Sequence, residues 1–144
     1  SRWGSEMEAP LQALRLDWDP ALATGHGVID AQHQSLFALC NRLADLCTTP
    51  GNEAAFDDSL ARLKALAHEH LAAEVALLAT AGDPAADDLR ADAEEFDYLV
   101  DQIATPEHFD RLELQRFVAL WWTGHVTGMG PALRGRLAAG GVQG

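Results

Sequence analysis

Ile29-Asp30-Ala31-Gln32-His33-Gln34-Ser35-Leu36-Phe37 is the stretch whose reading decides the fold. Ile29, Leu36, Phe37, Cys40, Leu43, Ala44 and Cys47 recur at steps of three and four, the period of an amphipathic helix, which the pattern predicts from about Val28 to Cys47. His33 stands four residues before Phe37 and seven before Cys40, so a helix turns it towards the apolar side. A polar, titratable ring on a core-facing position needs a reason.

Working outward, Thr48-Thr49-Pro50-Gly51-Asn52 ends this helix, and a second is expected from about Glu53 to Thr80 with Asn52 as its N-cap. Its stripe is Phe56, Leu60, Leu63, Ala67, Leu71, Leu77 and Leu78. Gly82-Asp83-Pro84 breaks the pattern. Asp83 and Pro84 suit the start of a third helix running to about Ala104, with Leu89, Ala93, Phe96 and Val100 inward and a strongly acidic outer face. Thr105-Pro106-Glu107 opens the last helix or its approach. That helix continues to about Leu137 with Leu114, Phe117, Val118, Trp121, His125 and Met129 on one side; Gly124, Gly128, Gly130 and Pro131 weaken its second half. Four amphipathic helices with short connections predict an all-α, antiparallel up-down four-helix bundle. Residues 1–27 read as an irregular N-terminal arm lying across a bundle end, 28–137 as the bundle, and 138–144 as a glycine-rich tail.

At 144 residues and 48% apolar content, the chain suits one domain with a sizeable core. The formal charge of −12 opposes binding to a nucleic-acid backbone or an anionic membrane, and neither partner is expected. No apolar run reaches membrane-spanning length and no export signal is visible, so a cytoplasmic protein is expected. Cys40 and Cys47, two helical turns apart, read as reduced thiols filling space.

The informative residues interrupt apolar stripes. His70 and Glu74 are four apart on the second helix and converge on one point. His125 follows Trp121 by four on the last helix, again inward. One inward histidine is usually a hydrogen-bonded core residue. Three of them with a carboxylate, on three helices, form a candidate metal site. Burying an ionised Glu74 alone would cost several kcal/mol, a large share of the roughly 5–15 kcal/mol that holds such a domain together. A divalent cation with neutral imidazoles as co-ligands would compensate; a proton-bearing His/Glu network without metal is the alternative. His26, His68 and His108 read as exposed or locally bonded.

At this point the residues resemble a known family. Leu16-Asp17-Trp18-Asp19-Pro20, Thr24-Gly25-His26 and Ile29 to Phe37 resemble the opening of bacterial hemerythrins; His70-Leu71-Ala72-Ala73-Glu74 is similar to their His-x-x-x-Glu, and Trp121 with His125 to their Trp-x-x-x-His. The resemblance runs from Leu16 to about Leu137. It implies a four-helix bundle binding two irons and, often, dioxygen, with His33 and His70 on one iron, Glu74 bridging, and His125 on the other. It also marks what is missing. The family's third-helix histidine pair falls on Leu89 and Ala93, and its second bridging carboxylate on Gly130.

One altered site with His33, His70, Glu74 and His125 around a single metal is therefore the leading expectation. Iron is the expected ion, with zinc and copper also suited. Dioxygen, nitric oxide or a similar small ligand would be its partner, in a sensor or binding role. Two alternatives stay open: a mononuclear oxygen-activating enzyme, and a metal-free bundle serving as an interaction module. A one-residue shift of the third helix would instead offer Asp88 and Asp92 as carboxylates. The shortened residues at 93 and 130, with Gly128, would leave a small pocket beside the retained ligands, lined by Met129, which reads as filler more readily than as a thioether ligand.

Overall fold

The structure, a computed structural model, describes residues 11–139. The first ten residues of the expected arm and the tail from 140 onward lie outside them. Four helices form the fold: α1 (Gly27–Cys47), α2 (Glu53–Thr80), α3 (Ala85–Ala104) and α4 (Arg111–Ala138). α1 packs on α2 and α4, and α3 packs on α2 and α4, closing an antiparallel ring around one core. No helix of the described residues is long and apolar enough to cross a membrane.

Caps explain the helix boundaries. His26 begins α1, its Nδ1 accepting from the Ile29 amide at 3.3 Å. Asp83 Oδ1 accepts from the Ala85 amide at 2.9 Å and starts α3. Asn52 occupies the N-cap position of α2 but its side chain makes no capping bond. The last helix begins later than Thr105-Pro106-Glu107 suggests. Asp110 caps it by accepting from the Glu113 amide at 3.1 Å, and the preceding residues form a turn. Despite its glycines and Pro131, α4 is continuous to Ala138. Tertiary contacts hold this half: Leu133 is buried, Arg134 donates to the Ala21 carbonyl at 2.8 Å, and Arg136 pairs with Asp83.

The expected inner faces of α1, α2 and α3 match the buried residues closely. On α4 the face is rotated. Leu114, Val118, Trp122, Val126 and Leu133 are buried, whereas Phe117, Trp121 and Met129 sit half-buried on its flank. Trp122 is fully buried, and Trp121, expected inward, is the more accessible of the two. The cause is the drift of a 3.6-residue helix across a long stripe: steps of four from Leu114 carry the core line to Trp122.

The arm corrects a second expectation. It does not cross a bundle end; it runs lengthwise along α1 and α4. Asn41 bonds both backbone groups of Leu16 at 2.7 and 2.8 Å, and Gln115 bonds both backbone groups of Leu14 at 2.8 and 2.6 Å. Trp18 packs edge-on against Phe37. A single 3-10 turn, Pro20–Leu22, then lays the arm against α4, where a Cβ on Gly130 would meet the Leu22 carbonyl oxygen at 2.4 Å.

Candidate metal centre

Three helices deliver the four inward residues to one point. His33 comes from α1, His70 and Glu74 from successive turns of α2, and His125 from α4. One ligating atom from each lies within 4.8 Å of all the others. Their side chains are essentially inaccessible; His125, at 5% exposed, is the most open.

The carboxylate is the hub. Glu74 Oε1 lies 2.8 Å from His33 Nε2 and is also in close contact with His70 Nε2; Glu74 Oε2 lies 3.0 Å from His125 Nε2. Burial alone would push the Glu74 carboxyl up, but the surrounding imidazoles of His125, His33 and His70 outweigh it and hold it well below the usual carboxylate range. Glu74 is therefore ionised. For His70, burial drives the imidazole below its ordinary value against the pull of Glu74, so that ring is neutral near pH 7.

The proton of that neutral ring can be assigned. His70 Nδ1 lies 2.8 Å from Gln32 Oε1, and with the amide oxygen turned to it, which can only accept, the ring proton is assigned to Nδ1. Its Nε2 is left with a bare lone pair aimed at an ionised carboxylate oxygen. Two acceptors at contact distance repel unless something positive lies between them. The hydrogen-bonding inventory agrees. His33 Nδ1, His70 Nε2, His125 Nε2 and Glu74 Oε2 are all buried without a hydrogen-bond partner. Buried polar groups are nearly always satisfied, at about 1–3 kcal/mol for each one left unpaired. Of these, His70 Nε2, His125 Nε2 and Glu74 Oε2 face one another, while His33 meets Glu74 through its other nitrogen, Nε2; orphans that converge in this way are what a cation-ligand set presents, so the residues fit a metal. Three imidazole nitrogens and one carboxylate suit iron(II) or zinc.

The family model of the hemerythrin HHE cation-binding domain matches residues 24–129. The chain belongs to the hemerythrin family. A search of curated proteins and one of solved structures find no match.

The chain carries its four polar residues on α1, α2 and α4, and α3 adds no ligating atom to the group among the described residues. Leu89 is buried in the core and Ala93 is half-buried. Asp88 and Asp92 are exposed and stand outside the group, so the one-residue shift of α3 does not occur. The expectation of free volume at Gly130 is also corrected. The space a side chain would take there is filled by the Leu22 main chain, not left beside the ligands. A groove of about 300 Å³ between α3 and α4 does touch His125 and is lined by Leu89, Gly128 and Met129, but neither Ala93 nor Gly130 lines it, so it does not arise from the two shortened positions as expected.

Sequence reasoning missed two residues of this centre. Gln32 precedes His33 in the opening motif and was legible only as part of that motif; its orienting bond to His70 crosses between helices. Trp122, packed edge-on against both His70 and His125, was obscured by its neighbour Trp121, which stacks flat on His125 with centroids 5.4 Å apart. His68 faces outward as expected, pairing with Asp97 on α3.

Proposed function

We propose that this hemerythrin-family chain holds one divalent cation, iron, through Nε2 of His33, His70 and His125 and the Glu74 carboxylate, and that it serves as a small-ligand binding or sensing protein. The observation that carries this reading is geometric: three buried imidazoles from three helices close on the buried Glu74 carboxylate, with one ligating atom of each residue within 4.8 Å of all the others. When bound, such a cation supplies a Lewis-acidic, redox-active centre with a coordination position free for an uncharged ligand such as dioxygen or nitric oxide.

The chain's own groups divide the remaining work. Gln32 fixes the His70 ring and its tautomer. Trp121 and Trp122 hold the His125 ring from its face and its edge, and Trp122 keeps the interior side dry. Support for one ion rather than two comes from the other half of the site. Leu89 and Ala93 offer no donor atoms, and the Leu22 carbonyl occupies the approach to residue 130. Glu74 is the one buried carboxylate among the described residues, and it is engaged by three imidazoles. A binding role is therefore favoured over an acid–base enzyme.

Elemental analysis of protein purified without added chelator tests the reading. One metal per chain, with a chelator-sensitive melting temperature, is expected. Two metals per chain with an oxo-bridged absorption spectrum would overturn it, as would a chain with no metal and no response to chelator.

A further inference from the structure

Two glycines of α4, Gly124 and Gly128, bracket His125 and face the groove between α3 and α4. A Cβ added at either would meet nothing within 4 Å, so both stand beside open space. The walls are apolar, with Leu89 and Met129 among them. Of the four converging residues, His125 alone lines one of the five grooves found among the described residues, and it is also the least enclosed. At the rim stand Asp88 and Asp92, exposed carboxylates with no ion pair among the described residues. Arg136 also borders the groove, but it is paired with Asp83.

Resting on the single-cation reading above, we infer that this groove is the route by which small uncharged ligands reach the centre from the His125 side, and that Asp88 and Asp92 screen anions at its mouth. A divalent ion against one carboxylate and three neutral rings leaves one positive charge, which on its own attracts anions. A pair of carboxylates at the entrance repels them before they arrive, while an uncharged diatomic molecule passes. The glycines keep the passage open at the point nearest the ligand.

Two variants test the two halves. Gly128→Leu projects a side chain into the groove, and Gly128→Ala projects a methyl; both replace a helical glycine with a better helix former, so neither is expected to unfold the bundle. In metal-free protein, acylation by diethyl pyrocarbonate is read residue by residue by mass spectrometry. G128L should slow modification of His125 about tenfold, and G128A less, with His68 unchanged as the exposed reference. In iron(II)-loaded protein the same variant should slow nitric oxide binding comparably. The double variant Asp88→Asn/Asp92→Asn should raise the azide association rate of the iron(III) form about fivefold at low salt, flatten its salt dependence and leave nitric oxide unaffected. Wild-type His125 acylation in G128L would overturn the route, and an unchanged azide rate would overturn the screen. A chain that binds no metal would sink the single-cation reading alone, because the acylation measurement needs none.

Discussion

Gly128 and Gly130 lie two residues apart in one helix, yet the structure assigns opposite signs to the same substitution at each. At Gly128 an added Cβ meets nothing, so Gly128→Ala should gain the helix-propensity difference, about 1 kcal/mol. At Gly130 the Cβ would stand 2.4 Å from the Leu22 carbonyl oxygen and 3.3 Å from its carbon. That obstacle is main chain, held on one side by the 3-10 turn Pro20–Leu22 and on the other by the bond from Arg134 to Ala21. Residue 130 also precedes Pro131, whose ring disfavours a helical residue carrying a Cβ before it. Overpacking costs about 1–3 kcal/mol, and against main chain that cannot swing aside the upper part of that range, about 2–3 kcal/mol, applies. Set against the same propensity gain, Gly130→Ala should lose about 1–2 kcal/mol net. The two variants should therefore differ by about 2–3 kcal/mol, or roughly 6–10 °C in Tm for a chain of this length. Thermal and urea unfolding of both, with metal content matched, measure the gap. A Gly130→Ala protein as stable as the parent would refute the close approach of the arm to α4, and with it the argument that the arm closes that side of the centre.

Three further outcomes follow from single groups. Gln32→Leu removes the acceptor that orients His70, and metal affinity should fall by about 10–100-fold with helix content unchanged; competition with a metal-binding dye reads it, and an unaltered Kd counts against the tautomer assignment. Burial pushes the Cys40 thiol up to about 12, so at pH 8 only about one molecule in ten thousand carries the thiolate; native protein should react with a thiol reagent at half-buried Cys47 and yield Cys40 only on unfolding, and equal native reactivity would be the contrary result. The Ala85 amide, and then Arg136, hold the Asp83 carboxyl below its ordinary 3.8. Its folded value is lowered, so its contribution is complete above the ordinary value and disappears as pH falls through the folded one. Asp83→Asn should lower Tm at neutral pH and flatten the acid limb of the Tm–pH curve, and an unchanged acid limb would assign that stability elsewhere.

Much of this was legible in the sequence because periodicity reports which face of a helix is buried. His33 was placed by its spacing from Phe37 and Cys40, and His70 and Glu74 by their separation of four, and the structure brings them together with His125. Four helices and their approximate ends came from caps and breakers in the same way. What periodicity cannot carry is relative rotation over a long helix, which is why Trp121 and Trp122 exchanged roles on α4. Nor does it carry main-chain contacts between segments far apart in sequence. The lengthwise path of the arm depends on Asn41 and Gln115, two polar side chains that bond backbone groups 25 and 101 residues away. Nothing local to either residue announces that.

The arm also explains why two glycine-bearing stretches of α4 came out differently. At Gly130, the absent side chain is replaced by backbone from another segment, so the α1/α4 side of the centre is sealed and carries no cavity at that position. At Gly124 and Gly128, on the adjoining face of the same helix, no segment of the described chain covers the space, and the groove to α3 stays open. On the route inferred above, a site closed on one side by a pinned arm and bordered on the other by a groove has a direction, with His125 at its entrance and His70, bonded to Gln32, at its back. That asymmetry is a reason to look for a ligand that enters and leaves rather than for a purely structural ion. A structural ion gains nothing from an opening, and in such sites the ligand shell is normally closed.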